Sequence, residues 1–290
     1  MEIGEPPPGV SQLHRFIRVF TGRKLVLFGA VIIVLFLIAA AFGPLFSPYG
    51  PNEQQLDHIL KSPSRAHLLG TDHLGRDTLS RLIYGSRNSL MVGVVGLAIA
   101  AIVGMTMGML AGYFNGWVNI IIMRLVDVLM SFPMILLALI ISALLGGGLK
   151  NVMIAIGIAM IPGYARLMCG VVTSTKEADY VLAERSMGSG NIRIMLGHIL
   201  PNCFPPLIVL ITIQIGAAIL TEASLSYLGI GIIPPAPAWG AMVNSGYRYL
   251  STNVLLSFAP GLAIMLVVFA FNMVGDGLRD ALDPRLRGLI

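Results

Sequence analysis

Long apolar stretches separated by short polar ones dominate the pattern of this chain. Six of them approach or exceed the length of about 20 apolar residues that a helix needs to cross a bilayer. The predicted spans cover residues 24–42, 90–113, 118–145, 152–172, 205–225 and 254–275. The pattern therefore predicts an all-α, polytopic membrane protein with six transmembrane helices and both termini on one side.

The spans divide the chain into a short leading segment, a large outer loop and a helical core. Residues 1–23 form the N-terminal segment, where 14–24 is expected to be an amphipathic surface helix. Residues 43–89 form the outer loop, 90–275 hold the other five helices, and 276–290 form the C-terminal tail. Within the core, residues 174–202 interrupt the apolar pattern and are called the polar segment below.

Composition supports a membrane protein rather than a soluble one. The chain is 56% hydrophobic and 11% charged, with a mean hydropathy of +0.84, whereas a soluble domain has about 25% charged residues. The net charge of +5 is explained by basic residues that collect on the cytoplasmic side of a membrane. The chain is therefore expected to contact lipid and not nucleic acid. Cys169 and Cys203 lack metal-ligand spacing and are expected to be free thiols.

The polar segment predicts two short amphipathic helices joined by a glycine bend. Ser174 and Glu177 fit a capping box at the start of the first helix. The glycines of the sequence GSG at 188–190 permit the left-handed conformation that ends a helix. Asn191 is then expected to cap a second helix, which Pro201 should stop. Apolar residues recur at helical spacing in both halves, which is typical of a docking surface at a membrane face.

The same segment resembles the cytoplasmic coupling loop of bacterial ABC importer permeases. That pattern is E-A-A, three residues, G, nine residues, I, one residue, L-P. The matching positions are Ala183, Gly188, Leu200 and Pro201, and the departures are Leu182, Glu184 and His198. A second block, LLGTDHLGRDTLSRLIYGSRNSL at 68–90, resembles the second permease subunit of the dipeptide, oligopeptide and nickel branch. Together with the spans, the resemblance covers roughly residues 20–290.

The resemblance implies a type I ABC importer permease subunit in a bacterial inner membrane, with cytoplasmic termini. It implies a second, paralogous permease, two ATP-binding subunits that hold ATP and magnesium, and an external substrate-binding protein. This chain itself would carry no cofactor, no metal and no catalytic residue. Dipeptides or oligopeptides are the main expected substrates, and nickel or another small solute is the alternative. The residues expected to contact the ATPase are Asp179, Tyr180, Ala183, Glu184, Gly188, Leu200 and Pro201.

The distribution of basic residues favours the same orientation. Eleven basic residues fall on the side of the polar segment and seven on the other, and the positive-inside rule places the richer side in the cytoplasm. Four of the eleven are assigned to the loop after span four, namely Arg166, Lys176, Arg185 and Arg193.

Two charges inside predicted span three are candidates for the substrate pathway. Arg124 and Asp127 lie three residues apart and so share one helical face. They form either a structural ion pair that anchors the helix end or a contact in the pathway, since intramembrane charges are costly. Met130 lies on the same stretch, and Pro133 is expected to bend the helix toward a central cavity.

The outer side carries further polar and aromatic residues. His58, His67 and His73 are expected to be ordinary surface histidines rather than metal ligands, because their spacing matches no compact motif. In the same loop, Asp72, Arg76 and Asp77 are expected to pair with one another. Glu222, at the outer end of span five, is expected to lie at the membrane interface. The proline-rich loop 229–253, which includes Trp239, is expected either to anchor at that interface or to dock a binding protein.

Small residues recur every four positions in span two, at Gly96, Ala100, Gly104, Gly108 and Gly112. This spacing permits close helix packing, here expected inside the chain rather than at a subunit interface. No phosphate-binding loop, nucleophile elbow or zinc helix is present in the sequence. The competing functional classes are a secondary transporter, which would show inverted repeats, and a membrane assembly protein without transport activity.

Overall fold

The computed structural model describes Phe20 and residues 22–282, and these residues are almost entirely helical. Nine helices are labelled in chain order. They are α1 (Lys24–Phe46), α2 (Thr78–Phe114), α3 (Gly116–Met130), α4 (Met134–Leu145), α5 (Leu149–Thr175), α6 (Asp179–Ser186), α7 (Asn191–Tyr227), α8 (Trp239–Tyr247) and α9 (Leu255–Leu282). The predicted surface helix over 14–24 and the end of the tail fall largely or wholly outside the described residues.

Five helices, α1, α2, α5, α7 and α9, are long and apolar enough to cross a membrane. The predicted third span is instead the pair α3 and α4, which meet at a 90° bend. Pro133 stands at this bend as the residue before α4, so the predicted kink is confirmed and is sharper than a bent helix. The stretch 118–145 is thus two helices joined at the proline, because proline interrupts the helical hydrogen-bond ladder.

Glycines of α2 bring this helix into close backbone contact with α5. A β-carbon added at Gly104 would lie 2.7 Å from the carbonyl oxygen of Ile161, and one at Gly108 would lie 2.4 Å from that of Ala165. Gly112 is similarly close to Cys169, at 2.8 Å. The four-residue repeat therefore allows two backbones to touch, and the predicted internal packing is confirmed for these three glycines.

A second packing layer brings α1, α7 and α9 together on the side of α2. Gly29 of α1 faces the backbone of Ala270 in α9, at 3.0 Å for an added β-carbon. Trp239 is fully buried, donates from Nε1 to the carbonyl oxygen of Leu82 at 3.0 Å, and packs edge-on against Phe36. The expectation that Trp239 anchors at the membrane interface was wrong, since α8 folds back onto the helices and turns this ring inward.

The helices run alternately between two ends of the molecule. At one end, α2 and α5 finish beside the polar segment, and the buried Lys176 Nζ donates to the carbonyl oxygen of Gly112 at 2.9 Å. At the same end, Arg23 and Asp280 form an ion pair of 2.5 Å. The start of α1 and the end of α9 therefore lie next to each other there. The outer loop, the turn before α5 and helix α8 lie at the far end.

The outer loop is held by a chain of side-chain contacts. Asp77 caps α2 by accepting from the Ser80 amide at 2.8 Å, and its other carboxylate oxygen lies 2.9 Å from His67 Nδ1. His67 Nε2 in turn lies 3.1 Å from His58 Nδ1. Asp72 and Arg76 pair at 2.7 Å as predicted, whereas Asp77 contacts His67 instead. His67 is buried rather than a surface residue, because it completes this network.

Glu222 also departs from its predicted place. Its side chain is fully buried between α2 and α7, where it accepts from Ser89 Oγ at 3.1 Å and from Ser226 Oγ at 2.7 Å. A buried carboxylate needs such donors, and the two hydroxyls satisfy that need. Glu222 is therefore a contact between helices and not an interfacial residue.

Candidate functional site

The polar segment begins later than the sequence predicted. Helix α5 continues to Thr175, so Ser174 lies inside that helix and cannot cap the next one. Helix α6 starts at Asp179 after Ala178, which makes no side-chain capping bond. The predicted capping box was wrong because the preceding span extends beyond its apolar part. The short helix itself is confirmed, over eight residues.

The predicted bend lies at Gly188, whose φ is +83°. The Gly188 amide donates to the carbonyl oxygen of Arg185 at 3.0 Å, and the Ser189 amide donates to that of Glu184 at 3.1 Å. These bonds satisfy carbonyls at the end of α6, as in a helix stop that uses a left-handed residue. A residue with a β-carbon is strained in this conformation, which explains glycine at this position.

The second half of the polar segment is the beginning of α7 and not a separate helix. Its residues Ile194–Ile199 form a π-helical turn, after which α-helical geometry continues from Leu200 to Tyr227. Pro201 does not stop the helix as predicted. It is the second residue of the α-helical portion that follows the π turn, and the helix continues through it. Asn191 makes no capping bond and accepts from Tyr113 Oη at 2.8 Å.

Buried apolar side chains fix the polar segment to the end of the helix bundle. Val181 of α6 and Ile194 and Ile199 of α7 are fully buried. They join one apolar cluster with Met168 and Val172 near the end of α5. Because both halves of the segment pack on the same cluster, α6 and the start of α7 form one supported unit rather than a free loop.

Both halves of the polar segment also carry exposed side chains. Tyr180 and Ala183 of α6 are exposed there, and Tyr180 Oη accepts from Asn202 at 3.1 Å. Four large apolar side chains are exposed by 42% to 72%, namely Leu182, Met187, Ile192 and Leu196. Ile192 and Leu196 also line an apolar groove together with Met105 of α2.

Glu184 and His198, two of the departures from the coupling-loop pattern, face each other across the bend. His198 Nε2 lies 3.6 Å from Glu184 Oε1, and Ser189 Oγ donates to Glu184 Oε2 at 2.6 Å. The Ser189 hydrogen bond, with smaller contributions from His198 and Arg193, holds the pKa of Glu184 below its ordinary value. Glu184 is therefore ionised at neutral pH and ties α6 to the start of α7.

The predicted docking residues do come together at one end of the molecule. Asp179 opens α6, while Gly188 forms the bend. Leu200 and Pro201 lie on α7, beyond the π turn, with Leu200 half-buried and Pro201 exposed. Sequence reasoning did not identify Ser189 as the partner of Glu184, and no one-dimensional pattern pairs the two.

The predicted pathway residues divide between two arrangements. Arg124 is exposed on α3 and is not the ion-pair partner of Asp127. Asp127 instead accepts from Arg166 of α5, with 2.5 Å between Oδ1 and the guanidinium nitrogen. Met130 is exposed at the end of α3. The assignment of Arg166 to the loop was wrong. Because Arg166 falls within predicted span four, its charge could have identified it as a partner for Asp127.

Comparison with known families gives two matches to consecutive parts of the chain. Residues 11–63 match the N-terminal transmembrane domain of oligopeptide transport permease C. Residues 104–288 match the family described as binding-protein-dependent transport system inner membrane component. The second match covers more than half of the chain and includes the whole polar segment.

Individual relatives agree with the family match. The chain is 44% identical to the di/tripeptide transport system permease protein DppC of Pseudomonas aeruginosa, over 96% of this chain and 93% of that protein. It is also 44% identical to the glutathione transport system permease protein GsiD of Pectobacterium atrosepticum, over 91% and 89% of the two chains.

A solved structure shares the fold. The inward-facing MetNI methionine ABC transporter contains a chain that aligns with a TM-score of 0.59 at 19% identity, over 71% of this chain and 97% of that one. The helical architecture is thus that of a type I ABC importer permease. From the family match and the relatives together, this chain belongs to the family of binding-protein-dependent transport system inner membrane components.

Proposed function

We propose that this chain is one of two paralogous permease subunits of an ATP-driven importer and that its polar segment docks on a separate ATPase subunit. ATP and magnesium would be bound by two such ATPase subunits, and an external binding protein would deliver the substrate. The observation that carries the proposal is that the polar segment exposes large apolar side chains, such as Leu182 and Met187, while its buried side chains join the core cluster.

The geometry suits transmission of force from a docked partner. Helix α6 packs through Val181 onto the same cluster that holds Ile194 at the start of α7. Tyr113 donates to Asn191 and lies under the Arg185 guanidinium, whose centre is 5.6 Å from the ring. A partner that moves α6 would therefore move the ends of α2 and α7 with it.

The proposed orientation is supported by the distribution of basic residues relative to the two chain ends. The Arg23–Asp280 ion pair lies at the polar-segment end, and basic residues are more numerous on that side in the sequence. Under the positive-inside rule this end faces the cytoplasm. The proposal therefore places both termini in the cytoplasm of a bacterial cell and the outer loop on the side of the binding protein.

The proposed substrates are short peptides, with dipeptides and tripeptides first. The supporting observation is that relatives at 40% to 44% identity are named for di/tripeptide, dipeptide and glutathione transport. All of these solutes are small and carry both a free ammonium and a free carboxylate.

Two glycines at the bend provide a matched test of the docking role. Gly188 has a φ of +83°, whereas Gly190 has a φ of −69°, and an added β-carbon meets nothing within 4 Å at either position. Gly188→Val should strain the bend by about 1–2 kcal/mol and reorient α6, while Gly190→Val should not. The measurement is ATP hydrolysis stimulated by the binding protein, in the complete complex reconstituted in liposomes.

We expect Gly188→Val to lose most of the stimulated hydrolysis while it inserts into the membrane in normal amounts. The Gly190→Val complex should hydrolyse ATP at close to the parent rate. Normal stimulation in Gly188→Val, with peptide uptake retained, would show that the bend does not position a docking surface.

A further inference from the structure

One exposed stripe runs along an otherwise buried helix. Of the five long helices, α5 is the most buried, with 72% of its apolar window inside the molecule. Its exposed positions include Gly163, Arg166, Gly170 and Ser174, spaced three or four residues apart and hence on one face. A β-carbon added at Gly163 or Gly170 would meet nothing within 4 Å. This face is small and polar, unlike a surface that contacts lipid.

An ion pair between two helices lies on this stripe. Arg166 of α5 and Asp127 of α3 are 2.5 Å apart, yet their side chains remain 54% and 47% exposed. Arg166 precedes the end of α5 by nine residues, or about 14 Å along the helix, and falls inside the stretch 152–172 that the sequence predicts to span the membrane. Charges at such depth face a water-filled cavity or a polar partner rather than lipid.

A shallow depression beside the ion pair lies along this face of α5. It has a volume of about 420 Å³, is open to the outside of the chain and is lined by α5 residues alone, namely Arg166, Leu167, Gly170, Val171, Ser174 and Thr175. Its wall thus combines one cation, two hydroxyl groups and an uncovered glycine. Asp127 reaches the same place from α3, whose end is turned by the 90° bend at Pro133.

We propose that Arg166 and Asp127 form a binding station for zwitterionic substrates on the translocation pathway. A substrate carboxylate would replace Asp127 at the Arg166 guanidinium, and a substrate ammonium would bind the freed Asp127 carboxylate. An ion pair that is half exposed can exchange partners in this way at little cost, because neither charge becomes unpaired. This inference rests on the proposed function and specifies the chemistry that the pathway recognises.

The first experiment tests whether the station faces water and whether its two charges act there. Gly170→Cys is made with Cys169→Ser and Cys203→Ala in the complete complex, so that this chain carries one thiol. The new thiol lies about 6 Å along the helix from Arg166. Anionic and cationic methanethiosulfonate reagents of similar size are applied, and modification of this chain is followed by mass spectrometry. Val34→Cys, on the exposed apolar side of α1, is the lipid-facing control.

We expect the Gly170→Cys thiol to react with both reagents and the Val34→Cys thiol to react with neither. Arg166→Gln should lower the ratio of anionic to cationic rates about tenfold, and Asp127→Asn should raise it about tenfold, as one unpaired charge at short range requires. The double variant should return the ratio to the parent value. Absence of reaction at position 170, or a ratio that neither single variant moves, would overturn the proposal.

The second experiment measures transport by the same complexes without the added cysteine. Dialanine and glutathione are supplied separately, each with a binding protein that delivers it to the parent complex. Arg166→Gln and Asp127→Asn should each transport about tenfold less substrate per ATP hydrolysed than the parent complex. If transport per ATP falls for only one of the two solutes, that solute is the class of substrate that binds at the station. Unchanged transport per ATP for both would refute the station, whereas a parent complex without stimulated hydrolysis would refute the proposed function instead.

Discussion

The contact between α2 and α5 supports a quantitative prediction about Gly108. A β-carbon at this position would lie 2.4 Å from the Ala165 carbonyl oxygen, 2.7 Å from Met168 Cβ and 2.9 Å from the Cys169 amide nitrogen. Carbon contacts are most favourable at about 3.5–4.0 Å. Because two of these neighbours are backbone atoms and cannot rotate away, Gly108→Ala must push the two helices apart by about 1 Å.

Overpacking of this kind costs about 1–3 kcal/mol, and the rigid backbone obstacle favours the upper part of that range. The matched control is Gly170→Ala on α5, where the added β-carbon meets nothing within 4 Å. That change should be neutral or stabilising by up to about 1 kcal/mol, since alanine is the better helix former. The two variants should therefore differ by about 2–4 kcal/mol.

The assay is reversible unfolding of the purified chain in mixed micelles with increasing dodecyl sulfate, followed by circular dichroism. Gly108→Ala should unfold at a lower detergent fraction than the parent, and Gly170→Ala should unfold at the same or a higher fraction. Equal unfolding free energies for the two variants, within about 0.5 kcal/mol, would refute the argument that backbone contact limits residue 108.

Two further predictions concern carboxylates. Because the pKa of Glu184 is lowered in the folded protein, its contribution to stability is present above the ordinary value of 4.5 and is lost as the pH falls through the lowered pKa. Hydrogen exchange of residues 179–199 should show this loss of stability, and Ser189→Ala should move its midpoint to higher pH. A midpoint that does not move in Ser189→Ala would contradict the role of Ser189. Glu222→Ala should lower the unfolding free energy by about 1–3 kcal/mol, since the buried Ser89 and Ser226 hydroxyls lose an acceptor, and Glu222→Gln should lose less because its amide oxygen still accepts. Thermal unfolding in detergent compares the two variants, and equal losses would mean that the hydrogen bonds do not matter.

The spanning helices could be predicted from the sequence because lipid imposes one strong requirement, a long apolar helix with its backbone bonds satisfied internally. Their ends could not. Helix α2 begins at Thr78, well before the predicted residue 90, since its polar first turns are buried against the outer loop and capped by Asp77. Hydropathy reports lipid contact and does not detect polar helical residues that are buried in protein.

The backbone of the polar segment could be predicted in part, for a similar reason. The bend at Gly188 follows from local backbone sterics and is visible in one dimension. The continuity of α7 through Pro201 cannot be seen in the sequence, because it depends on the change from π to α geometry just before the proline. The pairing of Asp127 with Arg166 joins residues 39 positions apart and required the packing of α3 on α5, which spacing along the chain cannot supply.

The π turn at Ile194–Ile199 sets how the start of α7 and its membrane-spanning part are rotated relative to each other. Such a turn is an α-helix that carries one additional residue, and one residue corresponds to about 100° of rotation around a helix of 3.6 residues per turn. Ile192, before the turn, therefore points in a direction that an uninterrupted α-helix would not give it. The direction in which the polar segment faces relative to the membrane helices is therefore encoded by a single extra position, independently of which side chains are exposed on it.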